Sequence, residues 1–351
     1  MNQFKIVIAE GLRQSIYEKN IGHICEHVLG SEFNIKRSNA LNEETLFDEI
    51  GGADALIIRP GFVLGKKTIA NLEKCKCIVS LGVGYEHIDI KAASSRGIIV
   101  CNVPDYGTEE VADMTMSHIL NLARKVSHYD TYLKRNCSEW NWMVGIPIHR
   151  LRNRTLGIIG LGRIGTAVAL RAKSFGLNIS YYDPYIQEDY GKNVGIHRAI
   201  SMDEMLQISD IVTIHTPLTD ETRGMIDNSF FGKMKKGSVL VNTARGQIFH
   251  SLDTIMWALK NNLVHAIATD VLPKEPPSED HPLLVDWRKG DAWINGRLLI
   301  SPHAAFYSED SIRELCIKAA ISAKNALTGK QVSNILNATI TKEDENGANL
   351  L

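Results

Sequence analysis

The chain alternates short apolar runs with longer stretches in which apolar residues recur every three or four positions. Short apolar runs are typical of buried strands, and the longer spacing is typical of helices with one buried face. The predicted strands are residues 5–9, 55–58, 77–80, 98–101, 156–159, 178–182, 211–215, 238–242, 266–270 and 298–301. Their alternation with helices predicts an α/β fold, with parallel sheets covered on both faces.

The predicted helices include 109–134, 164–175, 252–259 and 308–327. Ser201, with Glu204 three residues later, forms a capping-box pattern, and Ser251 and Ser308 lie where helix N-caps are expected. Three other segments show no helical or strand period. We expect a polar loop over 136–154, a functional or covering loop over 276–297 and a frayed polar tail after residue 338.

Composition narrows the class of protein. A chain of 351 residues is long enough for about two domains. Its 39 Lys and Arg against 40 Asp and Glu leave no broad positive field for nucleic acid or an anionic membrane. It has no apolar run of membrane-spanning length and no targeting signal at its start, and six Cys are too few for a disulfide-stapled fold. We expect a soluble, reduced, cytoplasmic protein without a metal site, in which Cys75 and Cys77 are buried thiols.

A glycine pattern marks the candidate cofactor site. Gly160, Gly162 and Gly165 form G-x-G-x-x-G directly after a predicted strand and at the start of a predicted helix. Such glycines allow a tight turn, close approach to a pyrophosphate and close helix–strand packing, and the helix N-terminus favours phosphates. Asp183, at the end of the next strand, suits ribose hydroxyls and would repel a 2′-phosphate. The pattern predicts NAD in preference to NADP; the alternative is a structural turn with a surface Asp.

Three charged residues follow the later strands of the same predicted unit: Arg245, Glu275 and His303. Ligands bind at the carboxyl ends of strands in open α/β sheets. An Arg can bind the carboxylate of a 2-oxo acid and polarise its ketone, and a His can exchange a proton near neutral pH. A carboxylate beside that His would fix and charge its ring. Each residue taken alone also has an ordinary surface role.

These motifs together resemble the D-isomer-specific 2-hydroxyacid dehydrogenase family over nearly the whole chain. The likeness is carried by LGIIGLGRIG (156–165), VNTARG (241–246), DVLPKEP (270–276) and SPHAAFYSE (301–309). Within the family, the chain is most similar to the C-terminal-binding-protein branch, through residues 82–93, 101–125 and 161–176.

The resemblance implies site residues and an architecture. Arg245, Glu275 and His303 match the family's catalytic set. The implied cofactor contacts are Thr108, Gly160, Gly162, Arg163, Ile164, Gly165, Asp183, Thr216, Pro217, Leu218, Thr243, Ala244 and Asp270; the implied substrate contacts are Arg59, Val83, Gly84 and Arg245. The family fold implies two doubly wound parallel-sheet domains. A smaller discontinuous flavodoxin-like substrate domain would cover 1–102 plus 307–351, and a Rossmann NAD-binding domain would cover 103–306.

The family also implies a homodimer through the NAD-binding domain. Trp140 and Trp142 suit that interface as anchors, although packing within the chain is the alternative. The chain departs from the family at Phe306, where corepressor members have Trp, and in the length of the 276–297 segment. We expect no separate C-terminal regulatory domain. His215, which ends a predicted strand, is expected to pack or to line the cleft rather than to act as a second acid.

The predicted function is an NAD-dependent oxidoreductase that interconverts a 2-oxo acid and a (D)-2-hydroxy acid. An NAD(H)-sensing transcriptional corepressor or scaffold is the alternative from another class, because fold alone does not decide function. A related dehydrogenase for a formate- or phosphite-type substrate is a further alternative. Arg59 would suit a second anionic group on the substrate, or the common carboxylate.

Overall fold

The computed structural model describes residues 3–9, 18–38, 40 and 42–337. The chain divides into two compact units: the described residues of Met1–Gly107 with Ser308–Leu351, and Thr108–Tyr307. The tail after residue 338 lies outside the described residues. The assignment of substrate and cofactor binding to separate domains with the predicted limits remains a proposal.

The first unit is built on a parallel sheet of five described strands in the order β2-β1-β3-β4-β5. This is the flavodoxin-like order, as predicted. The strands β3 and β4 are buried at every residue, because helices cover both faces of the sheet. The elements are β1 (Lys5–Ala9), α1 (Glu18–Leu29), β2 (Asn34–Ser38), α2 (Glu43–Ile50), β3 (Ala55–Ile58), α3 (Lys66–Ala70), β4 (Cys77–Ser80), α4 (Ile90–Ser95), β5 (Ile99–Cys101) and the final helix α13 (Glu309–Thr328).

The second unit has a parallel sheet of seven described strands, ordered β12-β11-β10-β9-β6-β7-β8. The chain reverses direction along the sheet between β6 and β9, which is the Rossmann switch point, and apolar cores fill both faces. Its elements are α5 (Thr108–Arg124), α6 (Val126–Arg135), a 3₁₀ turn (Trp142–Gly145), β6 (Thr155–Ile159), α7 (Arg163–Ser174), β7 (Asn178–Tyr182), α8 (Tyr190–Asn193), β8 (His197–Arg198), α9 (Met202–Ile208), β9 (Ile211–Ile214), α10 (Asn228–Lys233), β10 (Ser238–Asn242), a 3₁₀ turn (Gly246–Ile248), α11 (Leu252–Lys260), β11 (Val264–Thr269), α12 (Pro282–Lys289) and β12 (Leu298–Ile300).

The predicted helix starts at the three serines are confirmed. Ser201, Ser251 and Ser308 each accept a backbone N–H from three residues further on. The capping box at Ser201 is modified, because the Glu204 carboxylate accepts the N–H of Ile200 rather than that of the cap. These caps place the starts of α9, α11 and α13 as the sequence indicated.

The predictions for two segments were wrong in part. The helix predicted over 109–134 is interrupted at Lys125, whose φ of 57° is left-handed, so that α5 and α6 are separate. The loop predicted over 276–297 contains α12, which begins with Pro282 and ends at the left-handed Gly290. Pro at the first helical position and Gly after the last are ordinary helix boundaries, and they were missed because the segment lacks a clear apolar period.

Cys75 and Cys77 are buried in the first unit, as predicted. The Cys75 thiol donates to the carbonyl oxygen of Cys77 at 3.2 Å. Burial raises the pKa of Cys75 to about 12, so this thiol stays protonated at neutral pH. None of the helices in the described parts of the chain has the length and apolar character that a membrane crossing needs.

Candidate active site

Three neighbouring strands of the second unit lead into the three candidate catalytic residues. Arg245 follows β10, Glu275 follows β11 and His303 follows β12. Because β10, β11 and β12 are adjacent and parallel, their carboxyl ends meet at one edge of the sheet. The structure therefore brings together three residues that are up to 58 positions apart in the chain.

His303 and Glu275 form a direct pair. The ring nitrogen Nδ1 of His303 lies 2.6 Å from Oε2 of Glu275, and the other carboxylate oxygen accepts the N–H of Leu272 at 2.8 Å. An ionised carboxylate only accepts hydrogen bonds, so Nδ1 carries a proton and Nε2 is the nitrogen left for proton exchange. Both side chains are partly exposed, 44% for His303 and 36% for Glu275, which leaves the pair accessible to a small molecule.

The charge state of Glu275 follows from its neighbours. Burial alone would raise the pKa of this carboxyl group. The hydrogen bond and charge of His303, the N–H of Leu272 and the charge of Arg245 outweigh burial, and the net pKa lies below its ordinary value. Glu275 is therefore ionised at neutral pH, where it can stabilise positive charge on the His303 ring.

Arg245 is held close to this pair by the glycine that follows it. A Cβ on Gly246 would lie 1.9 Å from the carbonyl oxygen of Leu272, a distance that real atoms do not tolerate. The loops after β10 and β11 can therefore touch only with glycine here. The Arg245 guanidinium also donates to the carbonyl oxygen of Ala244 at 2.9 Å, which orients the fork.

The backbone of His303 has a left-handed φ of 54°. Its N–H donates to the carbonyl oxygen of Asp270 at 2.7 Å. The Asp270 carboxylate is 1% exposed and accepts the N–H groups of Ala304 at 2.9 Å and Ala305 at 2.8 Å. Asp270 thus fixes the loop that presents His303. Its role as a cofactor contact, implied by the resemblance, stays a prediction.

Two residues that sequence reasoning missed extend this support. The Ser301 hydroxyl donates to Asp270 Oδ1 at 2.5 Å and accepts a hydrogen bond from His118 Nε2 at 3.1 Å. Burial lowers the pKa of His118, and the charge of Asp270 offsets this only in part. His118 lies on α5, and no sequence pattern distinguishes it from the other 11 histidines. Ser301 lies within a recognised segment and could have been identified from its position beside His303.

Phe306 contacts the other side of the candidate acid/base. Its ring meets the His303 ring edge to face, with centroids 6.2 Å apart and planes at 79°. This geometry suits two aromatic rings and limits rotation of the imidazole. The position at which the sequence departs from the corepressor members therefore lies directly against His303.

The glycine turn has the geometry of a dinucleotide site. Gly160 has a φ of 89°, and a Cβ there would lie 2.9 Å from the backbone of His215. A Cβ on Gly165 would lie 2.2 Å from the Gly160 carbonyl oxygen, so both glycines are required for packing. A Cβ on Gly162 would meet nothing within 4 Å, and this N-cap has no side chain to cap α7. The turn thus leaves the start of α7 open to an anion, as a pyrophosphate requires.

Asp183 lies beside this turn at the end of β7. One carboxylate oxygen accepts the N–H of Leu161 at 2.9 Å, and the other accepts the N–H of Tyr185 at 2.9 Å. Each oxygen has a second lone pair that can accept from a ribose hydroxyl. The carboxylate is therefore fixed where the sequence placed the ribose contact.

Two predicted cofactor residues have buried hydroxyl groups without a hydrogen-bond partner among the described residues: Thr108 and Thr216. Buried polar atoms are normally paired, so these two fit a site that a polar cofactor completes. By contrast, the hydroxyl of Thr243 is paired with that of Thr115 at 2.8 Å.

The remaining predicted cofactor residues surround the same edge. Pro217 follows β9, and its carbonyl oxygen accepts from the Thr222 hydroxyl at 2.7 Å. Leu218 packs against the apolar core, the Ala244 N–H is bonded to Asn242, and Arg163 and Ile164 begin α7.

His215 follows β9, and its Nε2 shares a 3.0 Å hydrogen bond with the Thr213 hydroxyl. Burial lowers the pKa of His215 to about 3, so its ring is neutral at physiological pH. This environment fits the packing role expected of it and not that of a second acid.

The predicted substrate residues Arg59, Val83 and Gly84 lie in the first unit. Arg59 follows β3, and its N–H donates to the carbonyl oxygen of Ala9 at 3.2 Å. The carbonyl oxygens of Val83 and Gly84 accept from Asn102 and Ser80 at 2.7 Å each. These bonds fix the backbone of the loops after β3 and β4, and a substrate role for the three residues stays a prediction.

Comparison with known proteins agrees with this geometry. Residues 116–305 match the model of the NAD binding domain of D-isomer specific 2-hydroxyacid dehydrogenases. The chain is 34% identical over 303 residues to a D-3-phosphoglycerate dehydrogenase of Methanocaldococcus jannaschii, covering 86% of this chain and 55% of that protein. A D-3-phosphoglycerate dehydrogenase of Archaeoglobus fulgidus is 33% identical, covering 95% of this chain and 59% of that protein. The chain thus spans less than two thirds of the length of these relatives.

A solved structure has the same architecture throughout. The D-lactate dehydrogenase of Aquifex aeolicus, solved with NAD and lactic acid, superposes with a TM-score of 0.80 and 25% identity, covering 95% of this chain and 99% of that one. The residues that match the NAD binding domain, 116–305, lie within the second unit. The chain belongs to the D-isomer-specific 2-hydroxyacid dehydrogenase family.

Proposed function

We propose that the chain is an NAD-dependent dehydrogenase that interconverts a 2-oxo acid and a (D)-2-hydroxy acid. The observation that carries this proposal is the His303–Glu275 pair beside Arg245, on the sheet that also carries the glycine turn. Family membership supports it, as do relatives named for the dehydrogenation of 3-phosphoglycerate and lactate.

Arg245 binds the substrate carboxylate in this mechanism. A guanidinium presents two parallel N–H groups to a carboxylate, and the same cation polarises an adjacent ketone. The partial exposure of the pair beside it leaves room for a small acid at this edge. The positive charge also favours the alkoxide character that develops during reduction.

His303 transfers the proton. Glu275 holds Nδ1, so the ring delivers a proton from Nε2 to the carbonyl oxygen during reduction and removes it during oxidation. The ionised Glu275 stabilises the imidazolium that starts the reductive step, and Phe306 restrains the ring plane.

NAD, when bound, supplies or accepts the hydride. The open start of α7 would hold its pyrophosphate, and Asp183 would accept from its ribose hydroxyls. Thr108 and Thr216 supply hydroxyl groups that lack partners within the described part of the chain. Asp183 would repel a 2′-phosphate, which supports NAD over NADP.

The substrate belongs to the 2-oxo and 2-hydroxy acids, and Arg59, Val83 and Gly84 are the proposed contacts from the first unit. The names of the relatives favour a small acid of this class. The likeness to the C-terminal-binding-protein branch and a cytoplasmic location stay predictions of the same proposal.

A homodimer through the second unit is part of the proposal. Trp140 is 84% exposed and Trp142 is 72% exposed, so neither indole is packed within the described chain. Exposed indoles on a loop are typical of interface anchors. Replacing both by Ala is expected to shift the sedimenting species from dimer to monomer, and a monomeric wild type would contradict this part.

The test is oxidation of NADH and of NADPH, followed at 340 nm with a panel of 2-oxo acids, with chiral analysis of the product. We expect turnover with at least one acid, a preference for NADH and a product of D configuration. Tight NADH binding without turnover on any acid would contradict the proposal and favour the NAD(H)-sensing corepressor.

A further inference from the structure

A polar cavity of about 570 Å³ lies at the opposite edge of the second unit's sheet. It is lined by Gly237, which precedes β10, and by Val264 and His265, which begin β11. At about 3.3 Å per residue, the six residues of β11 separate this edge from the Glu275 loop by about 20 Å. The cavity is thus distinct from the candidate active site, and its volume is within the range of about 300–1,000 Å³ found for small-molecule sites.

The lining of this cavity is basic. Lys125, His128, Lys236, His265 and Arg297 line it, and none of its lining residues, all within the described ranges, is Asp or Glu. The whole chain has a net charge of −1, so the lining does not reflect average composition. A cleft lined by one charge sign concentrates ions of the opposite sign.

Arg297 provides a fixed positive charge in this lining. Its guanidinium donates to four backbone carbonyl oxygens: those of His265 at 2.8 Å, Trp293 at 2.9 Å, and Leu259 and Val264 at 3.0 Å each. Carbonyl oxygens hold the fork in place without neutralising it. The charge of Arg297 therefore remains in the cavity.

Lys125 lines the cavity, and its backbone has an unfavourable conformation. It is 6% exposed, has a left-handed φ of 57° between α5 and α6, and donates from Nζ to the carbonyl oxygen of Gly296 at 2.8 Å. Left-handed backbone disfavours a residue with a Cβ, so the surrounding structure must hold it. Burial, and then the charge of Arg297, lower the pKa of Lys125, which shows that its charge is poorly compensated.

Two polar groups of the lining lack a partner. Nε2 of His265 is buried without a hydrogen bond among the described residues, and Lys236, which is exposed to solvent, has no ion pair or hydrogen bond within the same part of the chain. Burial and then the charges of Lys125, Arg297 and His149 lower the pKa of His265 to about 4. A negative group in the cavity would satisfy both residues and relieve this repulsion.

We propose that this cavity binds a small anion through a phosphate or carboxylate group, held by Lys125, Lys236 and His265. Charge-assisted hydrogen bonds from ammonium and imidazole groups are the strong contacts for such groups. The site goes beyond the proposed dehydrogenase function and does not depend on it, because binding is measured without turnover.

Calorimetric titration with inorganic phosphate, on protein saturated with NADH, tests the proposal. NADH fills the glycine turn, and the Lys236 variants distinguish phosphate bound in the cavity from phosphate bound at Arg245 or Arg59. We expect one saturable site per chain, weakened about tenfold in Lys236→Ala, abolished in Lys236→Glu and retained in Lys236→Arg. Lys233→Ala is the matched control, since Lys233 pairs with Asp203 and does not line the cavity. The affinity of this variant for phosphate should equal that of the wild type.

A second readout identifies the contact with His265. Phosphate should raise the pKa of the His265 ring from about 4, as followed by NMR titration of the wild type. The proposal is wrong if NADH abolishes phosphate binding, if Lys236→Glu binds phosphate as the wild type does, or if His265 titrates identically with and without phosphate.

Discussion

His303 combines an unusual backbone with a specific side-chain partner. A φ of 54° in a residue with a Cβ costs on the order of 1–3 kcal/mol. The Asp270 carbonyl oxygen holds the backbone N–H, and Glu275 holds the ring at Nδ1. Strain that the surroundings enforce is typical of residues that must present one group in one direction, here the Nε2 atom.

Replacing Glu275 by Gln tests the charge of that partner. The amide preserves size but cannot stabilise the imidazolium, so kcat/KM for reduction should fall by about 10²-fold or more. The fall is measured from kcat/KM against pH.

Glu279→Gln is the matched control, since Glu279 is an exposed acid of the same segment, 88% exposed, paired with Arg288. The plot of kcat/KM against pH for Glu279→Gln should overlie that of the wild type. A Glu275→Gln profile that also overlies the wild type would show that the carboxylate has no influence on the proton transfer.

The direction in which protein stability changes with pH follows from the lowered pKa of Glu275. When folding lowers the pKa of a group, the group stabilises the folded protein at any pH above its pKa in the unfolded chain. This stabilisation is lost as the pH falls through its pKa in the folded protein. The pair with His303 therefore contributes fully at neutral pH. Its contribution declines below about pH 4.5, which is the ordinary value for Glu.

At the scale of elements, the loop between β12 and α13 depends on a chain of three hydrogen-bonded groups, of which Asp270 and His118 are buried. Asp270 at the end of β11 accepts from the Ser301 hydroxyl, which in turn accepts from His118 on α5. This chain connects the helix to the loop that carries His303. It explains how a segment without regular structure can hold a strained residue.

Ser301→Ala should break this connection. Asp270 loses a donor and His118 is left without a partner, so the free energy of unfolding should fall by about 1–3 kcal/mol. Because the loop positions His303, kcat should fall more than KM rises. Urea unfolding and steady-state kinetics measure the two effects, with the exposed Ser278→Ala as control. Unchanged stability and unchanged kcat would show that the chain of groups does not support the loop.

The elements themselves were largely predictable from the sequence. Buried parallel strands have continuous apolar runs, as in β3 and β4, and serine caps mark α9, α11 and α13. The polar edge strands β2 and β8 were missed because they lack such runs. The break at Lys125 was missed because neither Gly nor Pro occurs there. Its contacts with residues near 296 impose it instead.

At the scale of the whole molecule, the order of strands and motifs along the chain was enough to predict the candidate site. It did not predict the hydrogen bonds that hold the site's residues in place. Parallel topology brings the ends of successive strands to one edge, so Arg245, Glu275 and His303 could be grouped from the sequence. The contact of His118 with Ser301 joins residues 183 positions apart, and no local pattern encodes such a contact. The same holds for the basic cavity, whose charges come from distant segments.

The central claim is that His303 exchanges the proton during reduction of a 2-oxo acid by NADH. The most direct measurement is the steady-state rate of His303→Ala against wild type, on the acid with the highest turnover, with NADH affinity measured for both. We predict a loss of about 10²–10⁴-fold in kcat with NADH affinity unchanged. A variant that turns over at the wild-type rate would contradict the claim.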